Sequence, residues 1–290
     1  MNTPRAQGWL AWLFLTPALI LLLAFSFWPV LYGSYLSMTD FSLVRPTHWV
    51  GLDNYLDLFG NQMFLTGLKN SLLFLLVVPC TQIAALALAV LVNQQLPGIR
   101  WFRAAYYAPV VTTVAVVGIL WGFMFHEQGT LNYVLLQLHL IHAPVGWLSD
   151  DSIALFSVMF VSFWRGLGWY MVMYLAALQA VPAEMQEAAL LDGANRWQRF
   201  WRITVPMLMP TIMVCSIMSV LAALKAYQEV DVLTQGGPMN STFTALYYAY
   251  DQGLKHLKLP RGLAASFVVS LCCIAIALLC LRYLKPRHRQ

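Results

Sequence analysis

Residues 182–210, PAEMQEAALLDGANRWQRFWRITVPMLMP, form the longest stretch between apolar runs that is composed to fold rather than to loop. Pro182 suits the first turn of a helix, and Glu184 and Glu187 lie toward the end where the helix dipole favours negative charge. Met185, Ala188 and Ala189 recur at helical spacing as a small, flat face. Gly193 stands where helices commonly end in the left-handed conformation. Beyond it, Trp197, Phe200 and Trp201 repeat at i, i+3, i+4, with Arg196, Arg199 and Arg202 along the edge. That composition suits a segment lying at a membrane surface beside anionic headgroups. The expectation is a short helix, a glycine turn and an interfacial segment that leads into an apolar span.

The rest of the chain supports the membrane reading. Its 290 residues are 60% hydrophobic and 10% charged, with a mean hydropathy of +0.66. Those values lie far from a soluble domain. Apolar runs at Trp9 to Leu31, Ser71 to Val92, Ala105 to Phe125, Ile153 to Leu178, Ile203 to Leu224 and Leu263 to Leu284 are each long enough to cross a hydrocarbon core of about 30 Å. Six spans put both ends on one side. Arg5, Arg100, Arg103, Arg196, Arg199, Arg202, Arg282, Lys285, Arg287 and Arg289 all fall on the side that carries the termini, which the positive-inside rule makes cytoplasmic. The other side carries Arg45, Lys69, Lys225, Lys255, Lys258 and Arg261, and residues 126–152 contain no Lys or Arg. The first apolar run has no small-residue cleavage site and reads as a retained span.

Composition also excludes several classes. The net charge of +5 is spread over loops and helix ends, so no basic domain exists to grip nucleic acid. The five cysteines, Cys80, Cys215, Cys272, Cys273 and Cys280, all lie within apolar runs and imply neither a disulfide framework nor a metal site. The chain has no P-loop, no HExxH and no carboxylate cluster at membrane depth, so nothing marks it as an enzyme. A secondary carrier would show an internal repeat, discontinuous helices at matching positions and a coupling carboxylate within a span. None is evident, and ion-coupled transport stays as the alternative.

The 182–210 stretch resembles the EAA loop of permease subunits of binding-protein-dependent ABC importers. Glu187-Ala188-Ala189 is followed after three residues by Gly193, then after nine by Ile203, and then by Thr204-Val205-Pro206, with Val205 where leucine is usual. The resemblance implies an all-α membrane protein of six transmembrane helices with the type I importer (MetI-like) fold. It further implies an N-terminal span and periplasmic cap over 1–66, and a transporter domain over 67–290 with a coupling loop at 182–202. Glu187, Ala188, Ala189, Asp192 and Gly193 would contact an ATPase, which would hydrolyse ATP with Mg while this chain binds no cofactor. The implied partners are a second homologous permease, an ATP-binding subunit dimer, an extracytoplasmic sugar-binding protein and membrane lipid, in the bacterial inner membrane.

Other segments resemble sugar-importer permeases: LYGSYLSMTDF (31–41), WVGLDNYLDLF (49–59), RWFRAAYYAPVV (100–111) and LTQGGP (233–238). In FWRGLGWYM (163–171), Leu167 and Gly168 correspond to positions that face the sugar in the maltose permease, and Trp164 and Trp169 flank them. Ser219 matches a sugar-contacting serine there. Ala223 and Ala226 stand where that permease has asparagines, which argues against maltose as the cargo and leaves oligosaccharides and glycerol phosphates open. Arg165, the one basic residue deep in an apolar run, must be paired or face water. It either braces neighbouring helices or meets substrate. Tyr227, Thr81, Gln82 and Thr112 complete the candidate path. Lys225 and Glu229 have the i,i+4 spacing of an intrahelical ion pair.

Overall fold

The structure is a computed structural model that describes residues 4–42, 44–94 and 97–284. The terminal basic residues Lys285, Arg287 and Arg289 lie outside the described residues. Helix begins at Pro4, and its membrane-length part is α1 (Trp12–Leu36). There follow α2 (Asp53–Gly60), α3 (Gln62–Val92), α4 (Ile99–Val111), α5 (Val114–Met124) and α6 (Thr130–Gln137). Next come α7 (Ala154–Gln179), α8 (Ala183–Leu191), α9 (Arg196–Leu224), α10 (Gln228–Leu233), α11 (Ala245–Tyr250) and α12 (Leu259–Leu284). Among the described residues there is no strand, only a single bridge between Thr39 and Thr39's partner Trp49.

Five of these helices, α1, α3, α7, α9 and α12, are long and apolar enough to cross a membrane. The third expected span, Ala105 to Phe125, is not one helix: α4 and α5 meet at 103°. Pro109 has already removed one donor from the ladder, and Thr112 and Thr113 then take extended backbone with ψ of 136° and 147°. The Thr112 hydroxyl caps the Ala108 carbonyl at 2.9 Å, and α5 restarts on the Thr113 carbonyl. Elsewhere proline bends the ladder without ending it. A π turn at Leu23–Phe27 precedes Pro29, another at Phe200–Thr204 precedes Pro206, and a 3-10 turn at Phe74–Leu76 precedes Pro79. Each re-registers the rungs where proline offers no N–H.

The chain divides into two compact units, Met1–Asn61 with Ala249–Phe267, and Gln62–Tyr248 with Val268–Gln290. In the first, residues 12–32 are exposed along α1, as suits a lipid-facing helix. The following loop is held by the Asn54 amide, which donates to the Ser37 and Thr39 carbonyls at 2.9 and 2.8 Å, and by a Ser37–Tyr55 hydroxyl pair at 2.7 Å. A Cβ on Gly262 would fall 2.6 Å from the Gly253 Cα, so two glycines let these backbones touch.

The second unit is built around α7. In lipid, helix association rests on close packing and hydrogen bonds rather than on expelling water. The small residues Ala85 and Ala89 of α3 accordingly face Tyr170, Met171 and Tyr174 of α7, with Cys215 of α9 closing the cluster. The Tyr174 hydroxyl donates to the Gln82 amide oxygen, and the Gln82 amide donates to the Cys215 carbonyl at 3.4 Å, joining three helices. On its other flank α7 meets α5 through Val161 and Trp164 against Val117, Trp121 and Phe125.

Two loops of this unit are fixed by polar residues. The Asn132 side chain bonds the Glu127 and Val145 carbonyls, the Val145 N–H and the Trp147 indole, all within 3.1 Å. Asp150 accepts from the Ser152 hydroxyl and N–H just before α7, which holds its carboxyl below the usual range. In LTQGGP, Gly236 has φ +87° and a Cβ there would lie 2.3 Å from the Phe243 ring. Thr242 ties the turn together by bonding the Thr234 hydroxyl and the Gly237 carbonyl, each at 2.8 Å. The Asn70 amide holds the loop to α3 through the Ser241 and Phe243 carbonyls at 2.7 and 2.8 Å.

Candidate functional site: a charge-balanced cavity and an exposed loop

Helices α3, α4, α7, α9 and the start of α10 enclose a cavity of about 450 Å³. Its wall is mostly apolar, with Phe74, Val78, Trp169 and Tyr170 beside the small side chains Ala222, Ala223 and Ala226. Polar groups enter at Thr81, Ser162 and Ser219, and two charges enter at Arg165 and Glu229. The Arg165 Nη1 donates to the Glu229 Oε1 at 2.8 Å, with the two side chains 30% and 13% exposed. Arg165 is therefore paired, linking α7 to α10, and it also lines the cavity.

The expected Lys225–Glu229 pair does not form. Helix α9 ends at Leu224, Lys225 takes the C-cap position with its N–H still on the Leu221 carbonyl at 3.1 Å, and Tyr227 departs from helical backbone (φ −141°, ψ −32°), so the i,i+4 relation is lost before Glu229. That break turns Glu229 toward α7. Sequence spacing hid it because nothing between Leu224 and Gln228 is a proline or glycine.

The candidate path residues are only partly brought together. Arg165, Ser219 and Thr81 line the cavity. Trp164 and Leu167 do not: Trp164 packs edge-on against Trp121 with ring centroids 5.4 Å apart. Gly168 is buried where α4 crosses α7, and a Cβ there would stand 2.1 Å from the Tyr106 carbonyl oxygen, so its smallness serves helix contact. Tyr227 caps the start of α10 and accepts from the Gln228 amide at 3.5 Å. Gln82 is engaged in the Tyr174 network, and Thr112 caps α4. The cavity residues that sequence reasoning missed are Ser162, Tyr170 and Glu229. Ser162 was legible as the polar residue one helical turn before Arg165, whereas Glu229 reaches the cavity only through a helix break that the sequence does not mark. Among the described residues no three His, Cys, Asp or Glu are grouped as metal ligands.

The 182–210 stretch folds as a helix, a turn and a second helix. Pro182 occupies the N-cap position with extended ψ (132°), one step outside α8, and Glu184 sits in the first turn. The helix ends in a Schellman motif: the Ala194 N–H bonds the Ala189 carbonyl at 2.9 Å and the Gly193 N–H bonds the Leu190 carbonyl at 3.0 Å. Gly193 has φ +78°, and a Cβ there would meet nothing, so its requirement is purely conformational. Asn195 and Gln198 then form a capping box, with the two reciprocal bonds at 2.8 and 2.9 Å. The aromatic stripe Trp197, Phe200 and Trp201 consequently belongs to the first turns of α9 rather than to a separate segment. Glu187, Ala188, Asp192 and Gly193 are exposed, and Ala189 is buried. The Gln186 amide donates to the Thr204 hydroxyl at 3.1 Å, linking α8 directly to α9.

Residues 18–290 match the family described as binding-protein-dependent transport system inner membrane component. The lactose transport system permease protein LacF of Rhizobium radiobacter is 33% identical over 287 residues, covering 96% of this chain and 94% of the relative. The sn-glycerol-3-phosphate transport system permease protein UgpA of Agrobacterium fabrum is 30% identical, with 96% and 95% covered. Among solved structures, a chain of a bacterial alginate ABC transporter, in complex with an alginate pentasaccharide-bound periplasmic protein, superposes with a TM-score of 0.85. It shares 22% identity over 98% of this chain and 97% of that one.

Proposed function

The chain belongs to the family of binding-protein-dependent transport system inner membrane components, and from that premise we propose that it forms half of the membrane pathway of an ATP-driven importer of neutral oligosaccharides. The other half is a second homologous permease. An ATP-binding subunit dimer docks from the cytoplasm, one of its subunits on Glu187, Ala188, Asp192 and Gly193 of this chain, and an extracytoplasmic binding protein delivers the sugar. The chain sits in the bacterial inner membrane with both termini cytoplasmic and binds no cofactor; ATP and Mg belong to the ATPase.

The observation that carries this reading is the exposed α8, ended by its Schellman glycine and tied by Gln186 to Thr204 of α9. A push on α8 passes into α9, and α9 supplies Ser219, Ala222 and Ala223 to the cavity wall. Movement of the loop is thereby felt at the cavity without an intervening flexible segment.

The class of cargo follows from charge. Arg165 and Glu229 are the two charged groups of the cavity wall, and they neutralise one another at 2.8 Å. An anionic cargo would have to displace Glu229 from the guanidinium and leave a half-buried carboxylate facing it. Exposed Trp169 and buried Tyr170 offer the flat faces on which sugar C–H groups stack. A second reading, glycerol phosphate, is favoured by the UgpA likeness and by the affinity of guanidinium for phosphate.

Uptake in proteoliposomes tests the proposal. The expected result is accumulation of a neutral oligosaccharide only when this chain, the partner permease, the ATPase and the binding protein are all present with ATP. Accumulation by this chain alone under an ion gradient would replace the reading with a carrier. Uptake of glycerol phosphate in preference to neutral sugar would replace the cargo.

A further inference from the structure

A second cleft, of about 380 Å³, opens where α8 and the first turns of α9 meet the ends of α3 and α7. Its polar lining is Asn93, Gln186, Arg196, Arg199 and Thr204, and it contains no carboxylate. Gln186 and Thr204 satisfy each other. The arginines find no such partner. Among the described residues neither guanidinium makes a hydrogen bond or ion pair, and the Arg199 Nε is sealed from solvent with no acceptor. A buried N–H left unpaired is destabilising, and that cost is removed when an acceptor arrives from outside.

Two guanidiniums around a pocket without carboxylates select a planar or tetrahedral oxyanion, and the guanidinium fork matches phosphate oxygens in pairs. Trp197 and Trp201 stand exposed on the same two turns as Arg196 and Arg199, at 69% and 51%. Indoles in that position sit at headgroup level. We propose that this cleft binds a phosphate group, supplied by an anionic phospholipid headgroup, with Arg196 and Arg199 as its ligands. The occupant would lie against the Gln186–Thr204 link and so hold α8 to α9.

Native mass spectrometry of the purified full-length chain tests this, with phosphatidylglycerol, phosphatidylcholine or inorganic phosphate added in separate arms. Wild type is expected to retain one more phosphatidylglycerol than Arg196→Gln/Arg199→Gln, with no difference for phosphatidylcholine. Arg202→Gln, whose side chain is exposed and outside the cleft, should match wild type. Arg199→Lys, which keeps the charge but loses the Nε–H, should retain an intermediate amount, so a variant that merely misfolds is recognised by its elution. Phosphate retained by wild type and not by the double variant, with equal lipid retention, would reassign the source to free phosphate and overturn the lipid. Equal retention of lipid and phosphate by all forms would overturn the site.

Discussion

Arg165 and Gly168 lie three residues apart on α7, and their roles separate only in three dimensions. The guanidinium reaches the cavity and ends on Glu229, whereas the glycine faces the α4 backbone. Neutralising either charge should strand its partner. Arg165→Gln and Glu229→Gln are each expected to lower the thermal midpoint, and the double variant to lose less than the sum, with a coupling of about 1 kcal/mol. Additive losses would mean that the pair has no energetic weight. In Glu229→Gln the released guanidinium should also make uptake of neutral sugar newly sensitive to inhibition by a sugar phosphate. Gly168→Ala forces a methyl onto the Tyr106 carbonyl oxygen and should cost about 1–3 kcal/mol, read as a drop in thermal midpoint. An unchanged midpoint would mean that α4 and α7 yield there freely. Resemblance put Gly168 on the sugar path, and nothing in the residues themselves could show that a glycine in an apolar run is there for helix contact.

At the scale of elements, hydropathy located the apolar runs well because a helix in lipid must satisfy its own backbone, which demands long uninterrupted apolar sequence. It could not see that Ala105 to Phe125 holds two helices at 103°, since Thr112 and Thr113 are apolar enough to pass and their extended backbone depends on packing around α7. The boundary of α9 was legible in principle: Asn195 followed three residues later by Gln198 is a capping-box signature, and it moves the start of that helix to Arg196. Asn195→Ala removes one side of the box and should destabilise by about 0.5–2 kcal/mol. Faster amide exchange confined to the first turn of α9 would identify the loss as the cap. Exchange spread over α7 as well would mean that Asn195 supports more than its own helix. The joining of Ala249–Phe267 to the N-terminal segment in one unit had no local signal, because it rests on groups far apart in the chain: Arg261 pairs with Asp57 at 3.0 Å, and Gly33 lies against the Leu263 side chain.

At the scale of the molecule, the proposed coupling to ATP requires a surface through which a partner can move this chain. The candidate surface is α8 with its turn, and the elements beneath it lead to the charge-balanced cavity through Gln186, Thr204 and α9. The turn hinges on Gly193, whose φ of +78° a β-branched residue adopts only at about 1–2 kcal/mol. Because a Cβ at Gly193 meets no neighbour, substitution there alters the loop's conformation without disturbing the packing of the spans. The most direct test of ATP coupling through this loop is the ratio of sugar imported to ATP hydrolysed in the reconstituted transporter, measured for wild type and Gly193→Val. The account predicts that the variant assembles, keeps its cavity and loses most uptake while ligand binding by the external protein is unchanged; a wild-type ratio at a wild-type uptake rate would contradict it.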